Sequence, residues 1–184
     1  MIWIYSLTQH KDIKSKCLSL IEKSVGESID SVDKIAKTDY YLKYDEDVES
    51  FDYFKILHSV LGNSKFYDKV LEIYLIREIK ISRVWYQQYF QGNTHGWHIH
   101  PESNISAVYC LELENSSDST EFIDYQNNNI ISTNAKEGDI IVFPSYIMHR
   151  APVVKSNTRK TTINFNIDLG PSNPNLIKNF LNYE

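Results

Sequence analysis

The amino-acid sequence predicts an α+β fold in which helical segments precede a β-rich C-terminal half built as a barrel or jelly roll. Before residue 78, apolar side chains recur at helical spacing. From Ile79 onward, β-branched and aromatic residues dominate, and the apolar segments become short and regularly spaced. Polar turn sequences separate these short segments, which favours strands over further helices.

Helices are predicted mainly in the N-terminal part of the chain. Residues 8–24 place apolar side chains on one helical stripe, and residues 48–61 form a second helical region. The sequence Gly62-Asn63-Ser64 supplies a stop and a new N-cap, after which helical spacing continues to about Glu78. A short C-terminal helix is predicted from residue 173 to residue 184.

Six strands are predicted in the second half of the chain. They cover residues 79–90, 97–100, 105–113, 120–124, 140–143 and 159–168. We find no internal repeat, low-complexity tract or linker, so residues 1–184 are predicted to form a single domain. Within that domain, residues 1–78 provide mainly helical support, residues 79–168 the β core and residues 169–184 the C-terminal helix.

Composition excludes several classes of function. The net charge of -5 and the isoelectric point near 5.7 provide no broad positive field, so strong non-specific nucleic-acid binding is not expected. No apolar segment reaches the roughly 18 residues of a membrane span. The 2 cysteines are too few for a disulfide scaffold. These observations predict a soluble cytoplasmic protein.

Histidines are concentrated in one short segment, because His95, His98 and His100 all lie between residues 94 and 100. On a strand, side chains two residues apart share a face, so His98 and His100 are expected to project together. A third imidazole is available from His149, which follows the apolar strand at residues 140–143. We therefore predict a metal site formed by His98, His100 and His149, with open positions on the opposite side of the ion.

The third ligand has an alternative. Non-haem Fe(II) sites usually combine two histidines with one carboxylate, whereas the position expected for the carboxylate is occupied by His100. A second register uses His100 and Glu102 together with His149 and restores an acidic ligand. The first register is favoured, because Pro101 interrupts strand pairing before Glu102. The remaining histidine of the segment, His95, is expected to face the substrate or support the ligands.

A candidate anion-binding side chain follows ten residues after His149. Arg159, Thr161, Ile163 and Phe165 share one face of the last predicted strand, and that face is apolar. A guanidinium inside an apolar barrel is stable only beside an anion, and its planar fork matches a carboxylate. Arg159 is therefore predicted to clamp an anion, with an internal pair to Asp or Glu as the alternative.

The order of these motifs resembles that of the Fe(II)- and 2-oxoglutarate-dependent oxygenases. The likeness is strongest to a small phage and marine-bacterial branch with a His-x-His pair, in which a strand similar to residues 106–111, Ser-Ala-Val-Tyr-Cys-Leu, follows the pair. The resemblance covers about residues 85–168. It implies a double-stranded β-helix of the jelly-roll, cupin-like type, with the N-terminal helices packed on one sheet.

The resemblance also implies roles for individual residues. His98, His100 and His149 would hold Fe(II), and Arg159 would bind the distal carboxylate of 2-oxoglutarate. Three neutral imidazoles leave the ion at +2, which suits a dianionic co-substrate. The implied reaction uses 2-oxoglutarate and O₂ to hydroxylate a small-molecule or peptide substrate, with release of succinate and CO₂.

One position departs from the family pattern. Many relatives place a tyrosine hydroxyl beside the distal carboxylate, and Cys110 occupies that position here. That hydrogen bond is either lost or supplied by another group, for which Tyr89, Thr161 and Ser106 are the candidates. Four aromatic residues are candidates either to shape the substrate pocket or to pack in the core: Trp85, Tyr86, Trp97 and Tyr146.

Two alternative functions stay open at the level of the sequence. A cupin-type enzyme with a three-histidine metal site would catalyse dioxygenation or isomerisation without 2-oxoglutarate. A binding domain would keep the fold without the chemistry. The substrate and the oligomeric state are not specified by any motif.

Overall fold

The computed structural model describes residues 1–42 and 46–181, and these ranges contain eleven strands and four α-helices. The helices are α1 (His10–Lys23), α2 (Asp52–Asn63), α3 (Phe66–Tyr74) and α4 (Pro174–Leu181). The strands are β1 (Trp3–Ser6), β2 (Glu27–Asp30), β3 (Lys34–Thr38), β4 (Ile79–Tyr89), β5 (His95–His98), β6 (Ile105–Glu112), β7 (Glu121–Asp124), β8 (Asn129–Ser132), β9 (Asp139–Pro144), β10 (His149–Ala151) and β11 (Lys160–Leu169).

The strands form two antiparallel sheets. The larger sheet has seven strands in the order β1-β9-β6-β11-β4-β3-β2, and the smaller has four in the order β5-β10-β7-β8. In the β5 to β11 region, strands that follow one another in sequence alternate between the sheets as in a jelly roll, except for β7 and β8, which pair within the smaller sheet. The predicted α+β class is confirmed.

The helices cover the outer face of the larger sheet, as predicted. Buried side chains of α1, α2 and α3 form one apolar cluster with residues of β4, β6, β9 and β11. The rings of Phe54 in α2 and Phe66 in α3 lie 5.5 and 6.1 Å from the ring of Phe165 in β11. Phe165 is fully buried, so the helix layer and the sheet share one core.

Strand β11 divides its side chains between the two sides of the larger sheet. Ile163 and Phe165 pack against the helices. Lys160, Thr162 and Asn164 face the space between the two sheets, where they line a cavity. The alternation is the ordinary period of two for a strand, and it decides which residues reach the site.

Five short strands were not predicted. They are β1, β2, β3, β8 and β10. Each has three to five residues, and β1 and β3 pair with distant strands, β9 and β4. Segments of this length carry little periodic signal, so their strand conformation depends on the partner rather than on local sequence.

The predicted helix ends differ slightly from the observed ones. The third helix was expected to continue to about Glu78, but it ends at Tyr74 because Leu75 adopts a left-handed conformation with φ of 54°. The C-terminal helix begins at Pro174 as expected, and residues 182–184 lie outside the described ranges. Among the described residues, no helix combines the length and the apolar character that crossing a bilayer would require.

Candidate metal centre

Three histidines converge at one end of the space between the sheets. His98 closes β5 and His149 opens β10, and the two are directly paired across the antiparallel ladder. His100 lies two residues beyond the end of β5, where its backbone N–H donates to the carbonyl oxygen of Ser145 over 2.9 Å. One imidazole nitrogen from each histidine lies within 4.8 Å of the other two. The structure therefore brings together the three predicted side chains.

Hydrogen bonds fix the proton position on two of the imidazoles. Nδ1 of His98 lies 2.7 Å from the carbonyl oxygen of Gly96, and Nδ1 of His149 lies 2.9 Å from that of Ile147. A carbonyl oxygen only accepts, so each Nδ1 carries the proton. The lone pair on each Nε2 is left available, which is the arrangement that a metal ligand needs.

The third imidazole is held by side chains. Nδ1 of His100 lies 2.7 Å from Oγ of Ser106 and 3.1 Å from Oδ1 of Asn166. Ser106 Oγ also lies 2.8 Å from Oγ of Ser145, and the serine is almost completely buried. Ser106 is a candidate for 2-oxoglutarate binding in the sequence, but its hydroxyl contacts Nδ1 of His100, the ring nitrogen that is not available to the metal.

The environment keeps all three imidazoles neutral. Burial lowers the pKa of His98, and burial together with the charge of His98 lowers the pKa of His100 to about 4. Burial, followed by the charges of His98 and His100, lowers the pKa of His149 to about 2. Metal ligation requires the neutral form of histidine, so the site is prepared for a cation near neutral pH.

A cavity of about 230 Å³ opens beside the histidines. Lys160 lines it, is 3% exposed, and donates from Nζ to the carbonyl oxygen of Asp118 over 2.7 Å. Its Nζ also lies 5.1 Å from the centroid of the Tyr89 ring. Burial lowers the pKa of Lys160 to about 8, so the amine still carries its proton at pH 7. The cavity thus contains a deeply buried cation that the sequence reasoning missed.

The prediction that Arg159 points into the barrel is wrong. Its Nε and Nη2 donate to the carboxylate of Glu112 over 2.8 and 3.2 Å, and its Nη1 pairs with Glu22. Arg159 does share a face with Ile163, but that apolar face packs on the helices, whereas the cavity face of β11 is the polar one. The alternative weighed in the sequence, an internal ion pair, is the arrangement that the structure has.

Thr161 lies on the same side as Arg159. Its hydroxyl donates to Glu112, and the amide of Gln88 approaches it at 3.5 Å. Thr161 therefore hydrogen-bonds away from the cavity, and this geometry does not favour it as the candidate contact for 2-oxoglutarate.

Tyr89 lines the cavity, whereas Cys110 lies in the adjoining apolar core. The Tyr89 hydroxyl donates to Oε1 of Gln87 over 2.8 Å. Cys110 is 1% exposed and clusters with Phe122 and Phe143, and burial raises its pKa to about 12. Cys110 therefore belongs to the apolar core, and the hydroxyl proton of Tyr89 is already donated to Gln87.

A polar network on β4 and β11 continues towards His95. Oε1 of Gln87 also accepts from Nδ2 of Asn164 over 3.3 Å, and the Gln87 amide nitrogen lies 3.3 Å from Nδ1 of His95. The His95 ring stacks on that of His98 at 4.0 Å between centroids. His95 therefore contacts a candidate ligand and lines the cavity. The inward period of β4 could have identified Gln87, since Trp85, Gln87 and Tyr89 alternate.

The acidic alternative, Glu102, is exposed and lies in a second, smaller cavity. The group of side chains close enough to share an ion consists of His98, His100 and His149 and does not include Glu102. The structure therefore favours the first register, with three histidines, over the register with His100, Glu102 and His149.

The four predicted aromatic residues occupy different places. Trp85 lines the cavity and meets the His100 ring edge to face at 5.3 Å. Trp97 stacks with Arg150, whose guanidinium carbon lies 4.5 Å from its ring centroid. Tyr86 packs with Tyr53 in the helix-facing core, which is the alternative to a place in the pocket. Tyr146 is 74% exposed and does not line either cavity.

Comparison with known proteins gives a consistent result. Residues 83–166 match the model of the family described as "Putative 2OG-Fe(II) oxygenase". No curated protein sequence matches the chain. Many solved structures share the fold. Their sequence identity to this chain is low, so the likeness indicates a common fold and not a common substrate.

Three solved structures illustrate the likeness. A 2OG-Fe(II) oxygenase family oxidoreductase from Burkholderia pseudomallei superposes with a TM-score of 0.66 at 14% identity, covering 93% of this chain and 85% of the other. A prolyl hydroxylase from Trichoplax adhaerens, in complex with a hypoxia inducible factor peptide, gives 0.62 at 16% identity, covering 91% and 83%. HygX from Streptomyces hygroscopicus, with nickel and 2-oxoglutarate bound, gives 0.65 at 7% identity, covering 91% and 82%.

The chain has the fold of 2-oxoglutarate- and Fe(II)-dependent oxygenases, and residues 83–166 match the model of that family, whose members use Fe(II), 2-oxoglutarate and O₂. The three histidines of the candidate metal centre all lie within this matched segment. The superfamily resemblance and the double-stranded β-helix predicted from the sequence are thereby confirmed. The phage and marine-bacterial branch stays a prediction.

Proposed function

We propose that the protein is an Fe(II)- and 2-oxoglutarate-dependent oxygenase that hydroxylates a small-molecule or peptide substrate and releases succinate and CO₂. One observation carries the proposal: three neutral imidazoles converge beside a cavity that contains the buried ammonium group of Lys160. 2-Oxoglutarate needs a metal ion to chelate at one end and a cation to bind the carboxylate at its other end, and this cavity offers sites for both.

The metal would be held by Nε2 of His98, His100 and His149. Their Nδ1 atoms are already engaged with Gly96, Ile147 and the Ser106 hydroxyl, so the donor set fits a cation without rearrangement. When bound there, Fe(II) supplies the activation of O₂ that is coupled to decarboxylation of 2-oxoglutarate. The absence of a carboxylate ligand leaves the full +2 charge to attract the dianion.

Lys160 would hold the distal carboxylate of 2-oxoglutarate in the role first assigned to Arg159. An ammonium group has three N–H donors, and the carbonyl oxygen of Asp118 takes one of them. The others can bind a carboxylate in a site screened from water, where a charged hydrogen bond is strong. The face of the Tyr89 ring lies 5.1 Å from Nζ and stabilises the ammonium group, while the single hydroxyl proton of Tyr89 is donated to Gln87.

The polar network orients the remaining groups of the cavity. Gln87 is fixed by donors from Tyr89 and Asn164, so its amide N–H groups point away from them, towards His95. This arrangement gives the cavity a preformed polar wall beside the metal centre. A preformed wall lowers the cost of ordering a bound co-substrate.

Binding and turnover measured together test this function. Titration calorimetry under anaerobic conditions should show 2-oxoglutarate binding to the Fe(II)-loaded protein and no comparable binding to the metal-free protein. On admission of air, succinate should form from 2-oxoglutarate and be detected by mass spectrometry. Metal binding without any interaction with 2-oxoglutarate would instead favour the cupin-type enzyme, and failure to bind metal would favour a binding domain.

A further inference from the structure

Among the described residues that line the cavity beside the metal centre, Asp33 supplies the one carboxylate. The basic side chains of the same cavity have other partners. Lys160 binds the distal carboxylate of 2-oxoglutarate in the function proposed above, and Arg150 has its Nε and Nη2 each 2.7 Å from a carboxylate oxygen of Glu121. Asp33 therefore brings a negative charge to the cavity that neither the metal site nor the co-substrate explains.

The hairpin of β2 and β3 fixes the position of Asp33. Ile35, two residues further along the chain, is 2% exposed and packs with Tyr89. The backbone of Lys34 exchanges two hydrogen bonds with that of Thr94, over 2.8 and 2.9 Å. These contacts join the hairpin to the segment that carries the histidines, so Asp33 has a defined place in the cavity wall.

The two carboxylate oxygens of Asp33 differ in their surroundings. Oδ1 accepts from the backbone N–H of Gly96 over 2.7 Å. Oδ2 lies 3.8 Å from Nε2 of His95, which is longer than a hydrogen bond. A carboxylate has about four acceptor positions, so the bond from Gly96 leaves capacity for a ligand. The side chain is 35% exposed, so a ligand can reach it from solvent.

His95 does not neutralise this carboxylate. The amide nitrogen of Gln87 is a donor and lies 3.3 Å from Nδ1 of His95, so Nδ1 accepts and carries no proton. The imidazole is therefore neutral, with its proton on Nε2, the ring nitrogen that approaches Asp33. Within the part of the chain that the structure describes, no lysine or arginine forms an ion pair with Asp33, so its charge is left for a ligand.

A ligand bound to Asp33 would lie close to the metal centre. The ring of His95 approaches Asp33 through Nε2 and stacks on the ring of His98 at 4.0 Å between centroids. A single imidazole ring thus separates the carboxylate from a candidate metal ligand. Trp85 and Ile99 line the same cavity and offer apolar surface to a carbon skeleton.

We propose, on the basis of the function proposed above, that Asp33 binds a cationic group of the substrate, so that the enzyme acts on an amine or a guanidine. The ammonium or guanidinium group donates to Oδ2 of Asp33, and the carbon atoms attached to it extend past His95 towards the metal. A charge-assisted hydrogen bond of this kind gives both affinity and orientation. The net charge of -5 attracts such a substrate from a distance.

The test compares two planar probes of the same shape and different charge. Full-length protein loaded with Zn(II) and 2-oxoglutarate, which cannot turn over, is titrated with benzamidine, a cation at pH 7, and with neutral benzamide. The amidinium group presents a fork of N–H donors that matches a carboxylate. We expect benzamidine to bind about tenfold more tightly, a modest preference because solvent partly screens Asp33.

Variants assign the preference to Asp33. Asp33→Asn removes the charge but keeps an oxygen that can accept from Gly96, so the variant should retain Zn(II) and lose the preference. Asp33→Glu keeps the charge and should keep part of the preference. Asp30→Asn removes an exposed carboxylate of the same hairpin, outside the cavity, and should leave the preference unchanged.

Two further ligands distinguish the sources of such a cation. Agmatine is a free guanidine, whereas the peptide acetyl-Gly-Arg-Gly-amide carries the same group on a backbone. Tighter binding of agmatine indicates a small-molecule substrate, and tighter binding of the peptide indicates a basic peptide. In both cases Asp33→Asn should weaken binding.

The proposal is overturned if Asp33→Asn retains Zn(II) and keeps the full preference, or if the wild type binds 2-oxoglutarate but does not prefer benzamidine. A crystal structure of the wild type with benzamidine gives a test that needs no variant. An amidinium group on Oδ2 of Asp33 supports the proposal, and one bound elsewhere overturns it.

Loss of 2-oxoglutarate binding by the wild-type protein is a different result, since it contradicts the proposed function. In that case the two probes are compared on the protein loaded with Zn(II) alone. The difference between wild type and Asp33→Asn then still decides the role of Asp33.

Discussion

Arg159 and Lys160 are neighbours in sequence but lie on opposite sides of the larger sheet. Arg159 pairs with Glu112 and Glu22 on the helix side, whereas Lys160 is buried on the cavity side beside Tyr89. Both are cations near the same strand end, so they form a matched pair for mutation. Their opposite orientations separate a role in 2-oxoglutarate binding from a role in stability.

Replacement of Lys160 by Met should weaken 2-oxoglutarate binding. Loss of a hydrogen bond to a charged group costs about 1.5 to 3 kcal/mol, which corresponds to roughly a 10- to 150-fold weaker Kd. Arg159→Leu should leave the Kd within about twofold, since its guanidinium group contacts Glu112 and Glu22 instead. Titration calorimetry on the metal-loaded variants measures both. The opposite pattern would return the anchoring role to Arg159.

The buried amine also predicts a pH dependence of stability. In the folded protein the pKa of Lys160 is lowered to about 8 by burial, while in the unfolded chain it is about 10.4. Between these values the unfolded state binds more protons, so the free energy of unfolding should rise as pH increases from about 8 to 10.5.

Lys160→Met should remove this rise. The variant should also be more stable than the wild type at pH 7, because it no longer buries a charge. Urea unfolding of the metal-free proteins at pH 7, 8, 9 and 10 tests the expectation. Parallel stability curves for the two proteins would show that Lys160 is not the group responsible.

His149→Ala should abolish tight metal binding. The substitution removes one of three converging imidazoles, and two histidines alone hold a divalent ion weakly. Metal content measured after dialysis should fall from about one ion per chain to a trace. His58→Ala, on the outer surface of α2, is the matched control and should retain the metal. Full retention in His149→Ala would remove His149 from the ligand set.

Ser106→Ala tests whether the hydrogen bond to Nδ1 of His100 orients that imidazole for metal binding. The variant removes the hydroxyl 2.7 Å from Nδ1 of His100 and leaves the candidate ligands in place. Loss of such a contact lowers metal affinity by roughly 10- to 100-fold. Competition with a fluorescent Zn(II) chelator gives the affinity, and exposed Ser15→Ala serves as the control. Equal affinities in the two variants would show that Asn166 alone orients the ring.

Much of the fold and the histidine cluster could be predicted because they depend on local patterns. The change of period at Ile79 coincides with the first residue of β4, and the spacing of His98 and His100 indicated a shared ligand set. The first feature follows from side-chain periodicity within one segment, whereas His100 lies beyond the end of β5 rather than on the predicted strand 97–100, and its backbone N–H donates to Ser145.

The orientation of β11 could not be predicted in the same way. Its alternation correctly grouped Arg159 with Ile163 and Phe165, but a period of two does not tell which face meets the helices. Apolar character alone predicts that this face lines the barrel interior. The interior beside the metal centre is instead lined by the polar face, with Lys160 and Asn164. Only the packing of α1 to α3 on the larger sheet decides between the two.

A crystal structure of the protein grown anaerobically with Fe(II) and 2-oxoglutarate tests the central claim most directly. The account predicts one ion bound by Nε2 of His98, His100 and His149, with the distal carboxylate of 2-oxoglutarate within hydrogen-bonding distance of Lys160 Nζ. An ion bound elsewhere, or a 2-oxoglutarate carboxylate that contacts a different cation, would contradict it.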